Sequence, residues 1–304
     1  MKTLRPAAHL CAALIVAFAL LASSGESFAQ SDVEKTLQQF SAQDVKGYVQ
    51  PLADLFGSNM NAGIFHSAAI GKSGFHLTFE IVGMGSMVTD KLKTYTINAP
   101  PGYAPSSFST ATIFGGRADS IVSPIDPNSY YHGIADGIFN TSIFPLATPQ
   151  LTLGDVYGTR AIVRFIATPA IAKLPSATLW GLGLQHSLSQ HFSVLPLDVA
   201  VHAFYTKFTF GSLIDLSGLS IGVDASKSFS VLNLYGGFAW EKSTMDLTYT
   251  PSNSTLPAVD LSLDGANTVR LTLGLGLNLG VFALFADANF GSITSVSAGL
   301  AIGG

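Results

Sequence analysis

The chain has 304 residues, of which 48% are hydrophobic and only 11% are charged, and its formal net charge is −4. Soluble domains carry about 25% charged residues, so this composition, with a mean hydropathy of +0.41, is unusual for one. The charge pattern has no basic cluster, which argues against a nucleic-acid partner. The only cysteine, Cys11, lies close to the N-terminus, so the rest of the chain has no disulfide or thiol chemistry.

Residues 1–29 have the layout of a secretory signal peptide. Lys2 and Arg5 form a basic start, an apolar stretch follows, and Ser27-Phe28-Ala29 places small residues where signal peptidase reads them. The sequence therefore predicts a secreted protein whose signal peptide is cleaved. The alternative is a retained helical anchor, which residues 23–26 disfavour because they interrupt the apolar run.

Residues 30–60 predict an N-terminal helical segment. Ser31-Asp32-Val33-Glu34 has the spacing of a capping box, and Ser41-Ala42-Gln43-Asp44 opens a second helical stretch. We expect two short helices between Ser31 and Phe56, either in the periplasm or as a plug in the mouth of the domain that follows. A loosely held leader is the alternative.

Residues 61–304 show the alternation of membrane-spanning strands. Between Val269 and Leu279 every odd position is Val or Leu, while the even positions are Arg, Thr, Gly or Asn. Such alternation gives one apolar face, and a strand of roughly 9–11 residues crosses a bilayer. Because only helices and closed barrels satisfy every backbone group in hydrocarbon, we predict an all-β fold. It is an antiparallel transmembrane β-barrel of about 12 strands, in contact with membrane lipid in the outer membrane of a Gram-negative bacterium. A large soluble β-sandwich is the alternative.

Twelve segments are strand candidates: 61–70, 74–88, 91–98, 150–157, 159–168, 177–190, 196–210, 214–226, 229–243, 266–279, 280–289 and 292–303. If the N-terminus is periplasmic, short turns fall on the periplasmic side and the longest loops outside, as is usual for such barrels. Residues 99–149 form the longest loop. Its prolines, from Pro100 to Pro145, disfavour regular central strands. Its aromatic residues argue against disorder, so it folds over or into the barrel, or forms an external crown.

The phases of the strands separate a lipid face from a lumen face. Charged side chains on the lipid face cost roughly 2–4 kcal/mol at the bilayer midplane, so we place them inside. The lumen-facing candidates are Glu80, Arg160, Arg164, Asp198, His202, Asp224, Glu241 and Arg270. We expect Arg164 or Arg270 to form an ion pair with a lumen carboxylate. The set is either a polar constriction that selects a solute or an ion-paired filling.

Signals for catalysis are weak in the sequence. His186 and Ser187 are neighbours, but adjacent strand residues point to opposite faces and do not form a nucleophile–base pair. No histidine–carboxylate spacing indicates zinc or calcium. The sequence therefore predicts no enzyme, no metal and no cofactor, with a membrane-embedded lipid enzyme as a remote alternative.

Two stretches resemble an uncharacterised family of Gram-negative outer-membrane β-barrels. One is Gly47 to Leu52 followed by Phe56 to Gly63, and the other runs from Trp180 to Phe192 and on through Leu195-Pro196-Leu197-Asp198 to Tyr205-Thr206-Lys207. The resemblance implies a barrel over most of the chain, and it implies no catalytic residue because the family has no established activity.

The layout is also similar to that of long-chain fatty-acid transporters, in which an N-terminal helical piece plugs the lumen, although those barrels have more strands. With the aromatic 99–149 loop, this layout favours a channel or transporter-like protein that binds or passes a small molecule, hydrophobic ones included. A structural or surface-interaction barrel with a closed lumen is the alternative.

Overall fold

In a computed structural model of the chain, the described residues are 42–72, 74–170, 175–192, 195–249 and 259–303. The predicted signal peptide and the predicted helix at 31–40 lie outside these residues. The described residues divide into two units: residues 42–52, 88–142 and 259–261 form the first, and residues 53–87, 143–249 and 262–303 form the second.

The described residues contain one α-helix, a 3₁₀ turn at Asp90–Leu92 and fifteen strands. The helix is α1 (Ala42–Met60). The strands are β1 (His76–Met87), β2 (Thr94–Asn98), β3 (Ser107–Ala111), β4 (Ser120–Val122), β5 (Tyr130–His132), β6 (Ile143–Val156), β7 (Thr159–Thr168), β8 (Ala177–Ser187), β9 (Asp198–Phe210), β10 (Ile214–Phe229), β11 (Leu232–Tyr249), β12 (Val259–Asp264), β13 (Val269–Leu279), β14 (Phe282–Phe290) and β15 (Ser295–Gly303). The helix α1 is not apolar enough to cross a membrane.

Ten antiparallel strands close into a barrel in the second unit. Their order is β1-β6-β7-β8-β9-β10-β11-β13-β14-β15, and β15 pairs back onto β1. The predicted antiparallel barrel is confirmed, with ten strands in the closed sheet instead of about twelve. The additional strand β12 lies beside the end of β11.

The outer face of the barrel is apolar because the strands alternate as the sequence predicts. On β13 the six Val and Leu side chains are between 41% and 56% exposed, whereas Arg270 between two of them is 4% exposed. Phe79, Phe165 and Phe238 continue this exposed surface on other strands. Water-soluble monomers rarely expose so large an apolar surface, and such a belt is typical of a wall that faces lipid.

The two ends of the barrel differ in the length of their connections. At one end, two residues join β6 to β7, β10 to β11 and β13 to β14. In the first of these turns Tyr157 and Gly158 both have positive φ, 51° and 69°, as a type I′ hairpin requires. At the other end lie the two longest connections, 88–142 between β1 and β6 and 250–268 between β11 and β13, whereas the ten residues 188–197 between β8 and β9 lie at the first end. This asymmetry is the predicted one, and its assignment to the periplasmic and outer sides stays a prediction.

Two of the twelve strand candidates are wrong as barrel strands. Residues 61–70 have no strand structure, and 91–98 contributes only β2, which pairs with β3 in a separate two-stranded sheet. Both errors flank β1, so β1 runs in the direction opposite to the expected one. Val88 consequently begins the long connection and does not lead through a short turn to a second barrel strand.

The 99–149 region has more regular structure than its prolines suggest. It contains β3, β4, β5 and the first half of β6, in which Pro145 and Pro149 lie opposite Gly85 and Ile81 of β1. Among the described residues, β7 pairs with β6 only from Gln150 onward. Both prolines therefore lie where β6 has one partner, and a missing N–H is tolerated at such an edge position.

Residues 53–70, which we call the lumen segment, run through the inside of the barrel. Near its start Asp54 accepts a hydrogen bond from the N–H of Ala266 (3.0 Å), at the end with the long connections. Just beyond its end, the carbonyl of Gly71 accepts from the N–H of Gly158 (3.1 Å), at the end with short turns. Leu55, Ala62 and Ala68 are completely buried. The apolar alternation of 61–70 therefore reflects packing against the wall.

In the first unit, the N-terminal part of α1 packs against residues of the β1–β6 connection. Gly47 lies against the ring of Tyr95, where a Cβ atom would come within 2.4 Å of Cδ2. The Tyr48 hydroxyl donates to the carbonyl of Asp136 (2.9 Å). Burial, together with the charge of Asp136, raises the pKa of Tyr48, and burial also raises the pKa of Tyr95.

Candidate functional site: the barrel lumen

Arg164, on β7, binds the backbone just after the end of α1. Its guanidinium donates to the carbonyls of Met60 (3.3 Å) and Ala62 (2.9 Å) and to that of Gly63. The last carbonyls of a helix lack internal partners and carry partial negative charge, so a cation is favourable there. Arg164 is 1% exposed, and it holds the lumen segment at the middle of the barrel wall.

Glu80, on β1, is the carboxylate nearest to this arginine in the hydrogen-bond network. Arg164 Nε donates to Oε1 of Gln150 (2.6 Å), and Gln150 Nε2 donates to Oε2 of Glu80 (2.8 Å). Thr152 donates to the other carboxylate oxygen (2.7 Å), and His66 Nε2 of the lumen segment lies 3.3 Å from Oε2. Gln150 therefore bridges the two charges, and both side chains are buried with partners.

Arg270, on β13, forms the buried ion pair that the sequence predicts. Its Nε lies 2.7 Å from Oε1 of Glu241, and the two side chains are 4% and 1% exposed. Its Nη2 donates to the carbonyl of Ser58 (2.8 Å), in the last turn of α1. Arg164 and Arg270 therefore hold the end of the helix from different strands of the wall.

The other sequence-predicted lumen residues lie apart from these two arginines. Arg160 donates to the carbonyl of Ala69 (3.0 Å) and lies 3.3 Å from Asp155, so it holds the far end of the lumen segment. Asp198 is half-buried at the start of β9, and within the described residues it takes part in no ion pair.

His202 and Asp224 belong to a polar network that includes Ser220, a residue the sequence analysis does not select. His202 Nδ1 lies 2.7 Å from Oδ2 of Asp224, and His202 Nε2 lies 3.4 Å from Oγ of Ser220. Gln185 Nε2 donates to the same Asp224 oxygen (2.8 Å). The imidazole is therefore hydrogen-bonded between a carboxylate and a hydroxyl.

The hairpin register explains why these three side chains meet. Ser220, Gly222 and Asp224 alternate along the inner face of β10, and His202 of β9 lies directly opposite Gly222. The imidazole therefore lies between the two polar side chains that flank Gly222 on the neighbouring strand. Aligning the two predicted strands as a hairpin would have found this arrangement, because it places His202 opposite the glycine between Ser220 and Asp224.

A cavity lies between the lumen segment and strands β9, β10, β11, β13 and β14. Its volume is about 30 Å³, and it is partly open. Ser220, His202 and Asp224 line one side, and Asp287 and Asn289 line another. Asn61 of the lumen segment also lines it, and its buried Oδ1 has no hydrogen-bond partner. At roughly 10–15 Å³ for each water-sized group, the cavity holds about two or three such groups.

No group of three His, Cys, Asp or Glu side chains in the described part of the chain is arranged to bind a metal ion. The groups that we consider for chemistry in the lumen are therefore its hydrogen-bond donors, its acceptors and the imidazole of His202. Besides Ser220, the sequence analysis missed Gln150, Gln185 and Asp287 as lumen residues. All three lie at inward positions of strands that the pattern does predict.

Comparison with known proteins gives a family but no activity. The profile of a family of unknown function, DUF6588, matches residues 1–304, and no functionally curated protein matches the chain. Two solved structures are similar at 10% identity: the Pseudomonas putida toluene transporter TodX and the Ralstonia pickettii toluene transporter TbuX. For TodX the match covers 81% of this chain and 74% of that chain, with a TM-score of 0.26. For TbuX it covers 81% and 92%, with a TM-score of 0.21. Likenesses this low assign no function to this chain.

Proposed function

Because this chain belongs to that family of unknown function, we propose its function from the geometry: an outer-membrane barrel that binds or passes a small molecule when the lumen segment is displaced. The apolar belt on the wall supports the membrane location. The observation that carries the proposal is the path of residues 53–70, which fill the lumen from one end to the other.

The contacts between the lumen segment and the wall are of a kind that can exchange. Arg160, Arg164 and Arg270 all bind backbone carbonyls of the segment. Asn233 and Gln150 of the wall donate to two more, those of His66 (2.8 Å) and Ile64 (3.1 Å). Hydrogen bonds to water replace such polar contacts at a net cost of about 1 kcal/mol for a neutral donor and about 1.5–3 kcal/mol for a charged one. Displacement must also separate apolar contacts, such as those of Ile64 with Ile162 and Phe204.

The wall itself leaves room for a passage. Ten strands enclose more space than the eight that side chains alone fill. Several inward positions have no side chain, including Gly181, Gly218 and Gly237. The lumen segment occupies the space that larger wall residues would otherwise fill, so its displacement opens a continuous channel. Polar side chains and apolar ones such as Phe204 and Phe285 line it.

A second candidate is a structural barrel whose lumen stays closed. The observation that favours it is the buried Arg270–Glu241 pair, since breaking a buried pair by losing one partner is strongly destabilising.

The sequence-based prediction of a hydrophobic ligand rests on the aromatic 99–149 region. There the rings of Tyr103 and Phe108 lie 5.7 and 6.2 Å from that of Tyr131, and this prediction remains part of the proposal.

The test is conductance of the full-length protein in planar bilayers. Arg164→Met removes three contacts to the lumen segment, so we expect it to conduct more than wild type. In the Arg164→Met background, cysteines at Gly63 and Ser297 then lock the segment to the wall. A Cβ built at Gly63 lies 3.1 Å from Cβ of Ser297, slightly below the range of about 3.5–4.5 Å in disulfides. It would also lie 2.6 Å from Cγ1 of Val82, and Gly63 has a φ of +59°, so Val82→Ala accompanies the cysteines and their controls to make room.

The expected result is that oxidation abolishes the added conductance and a reductant restores it. The matched controls carry only one of the two cysteines and should not respond to oxidation. Conductance that is equal with the segment free and locked contradicts displacement of the segment. A barrel that is silent in every variant, while heat-modifiable migration on gels shows that it has folded, supports the structural candidate.

A further inference from the structure

We propose that Ser220, His202 and Asp224 form a hydrolytic triad in the lumen, and that it cleaves esters of short acyl groups such as acetate. This activity is additional to the proposed passage of a small molecule. It relies on that function only in requiring that a small ester reaches the lumen.

The geometry has the roles that acyl transfer needs. Asp224 Oδ2 at 2.7 Å from Nδ1 of His202 favours the tautomer with a proton on Nδ1. Nε2 is then free to accept the proton of Ser220, whose Oγ lies 3.4 Å away. This second distance is long for a hydrogen bond to a hydroxyl, as is common before substrate binds. The same order of nucleophile, base and orienting carboxylate recurs on unrelated folds.

The surroundings hold the imidazole in place. The Phe65 ring of the lumen segment packs on it with centroids 4.9 Å apart, and Gln185 of β8, on the other side of β9, donates a hydrogen bond to Asp224. All three triad residues line the cavity, so the nucleophile is next to an empty space even though Ser220 is only 1% exposed.

The cavity also contains a donor for the negative charge that develops in acyl transfer. The amide of Asn61 lines it, and Nδ2 lies 3.4 Å from the carbonyl of Leu219, the residue before Ser220. Because the amide nitrogen has two N–H groups and this long contact uses one of them, the second remains available to a nearby oxyanion. We assign Asn61 this role.

The reaction balances without any further reactant except water. Ser220 Oγ attacks the ester carbonyl, its proton moves to His202 Nε2, and the alcohol leaves with that proton as the carbon–oxygen bond breaks. Water then attacks the acyl-serine, gives its proton to His202, and releases the carboxylic acid as Ser220 recovers the proton. The cavity volume of about 30 Å³ holds about two or three water-sized groups, which matches an acetyl group and favours short acyl chains over long ones.

The first experiment treats the detergent-refolded full-length protein with a small fluorophosphonate and locates the adduct by mass spectrometry. We expect the adduct on Ser220, and we expect His202→Asn to slow its formation by about 10²–10⁴-fold. The matched control is Ser226→Ala. This buried serine on the same face of β10 accepts a hydrogen bond from the N–H of Ala68, and among the described residues it has no hydrogen bond to His202.

The second experiment measures hydrolysis of p-nitrophenyl acetate against the octanoate. Acetate should be cleaved faster, Ser220→Ala should abolish the activity, and Ser226→Ala should retain it. If Ser220→Ala does not fold, Ser220→Cys replaces it, and alkylation of its thiol should depend on His202 in the same way.

Absence of an adduct on Ser220 in both wild type and the more open Arg164→Met variant overturns the proposal and leaves the network with a structural role. Hydrolysis that Ser220→Ala does not change overturns it as well. If Ser220 is labelled in a barrel that never conducts, the proposed passage is refuted and the triad is supported. If the barrel conducts but Ser220 is not labelled, the triad is refuted and the passage is supported.

Discussion

Arg270→Leu tests the energetics of the lumen most directly. The substitution leaves Glu241, 1% exposed, without its partner at 2.7 Å, and it removes a donor from the carbonyl of Ser58. Loss of one partner of a buried ion pair costs about 3–5 kcal/mol. Because the total stability of a domain is about 5–15 kcal/mol, this loss is easily measured. Urea unfolding in detergent micelles, followed by tryptophan fluorescence, gives the free energy of unfolding.

Two further variants separate the ion pair from general damage. Lys207→Leu breaks an exposed pair, with Nζ 2.8 Å from Asp215 and side chains 34% and 45% exposed, and should cost less than about 1 kcal/mol. The double variant Arg270→Leu/Glu241→Leu should be more stable than Arg270→Leu, since no charge is then left buried alone. Equal losses of stability for Arg270→Leu and Lys207→Leu refute this reasoning. It is also refuted if the double variant loses as much stability as Arg270→Leu and Glu241→Leu lose together when each is measured alone.

Two predictions concern the outer wall and the first unit. Leu273, 55% exposed on the outer face, should not tolerate Arg, because a charge facing lipid costs roughly 2–4 kcal/mol at the midplane. The inserted fraction in vesicles should fall for Leu273→Arg, and an unchanged fraction would place β13 in the opposite phase. Burial raises the pKa of Tyr48 and Tyr95, whereas unfolded tyrosines ionise near pH 10. Above about pH 10 the unfolded state therefore binds fewer protons than the folded state, and stability falls as the pH rises. Tyrosinate absorbance followed with unfolding should show this loss reduced in Tyr48→Phe, and stability that stays constant up to pH 12 would contradict it.

The barrel wall was predictable because lipid enforces strict alternation. Each of β7, β9, β10 and β13 shows its apolar face directly in the sequence, and the structure exposes that face. A one-residue shift would put charges such as Arg270 into lipid, so the phase has little freedom.

The two false strands show where alternation misleads. The first false strand has the alternating apolar residues of a strand: Ala62, Ile64, Ala68 and Ile70. These residues pack inside the lumen, where side chains of the wall, such as Gln150, bind the backbone of the segment. The burial of this segment does not alternate throughout, since residues 61–64 are all buried. Alternation in the sequence therefore does not by itself show that a strand pairs with neighbours. Because both false strands flank β1, their removal reverses the direction of β1 alone. The predicted relative directions of β6 to β11 and of β13 to β15 agree with the structure.

The lumen site was predictable in its charges but only partly in its partners. Carboxylates are visible in a sequence, so the Arg270–Glu241 pair could be expected. Every residue has a backbone carbonyl, so the sequence does not show which carbonyls a side chain binds. The binding of Arg164 to the carbonyls of Met60, Ala62 and Gly63 could therefore not be expected. That binding depends on where α1 ends inside the barrel. The helix end leaves carbonyls open, and two buried arginines satisfy them from the wall. The wall arginines and the lumen segment therefore stabilise each other, since either one alone would leave buried polar groups without partners.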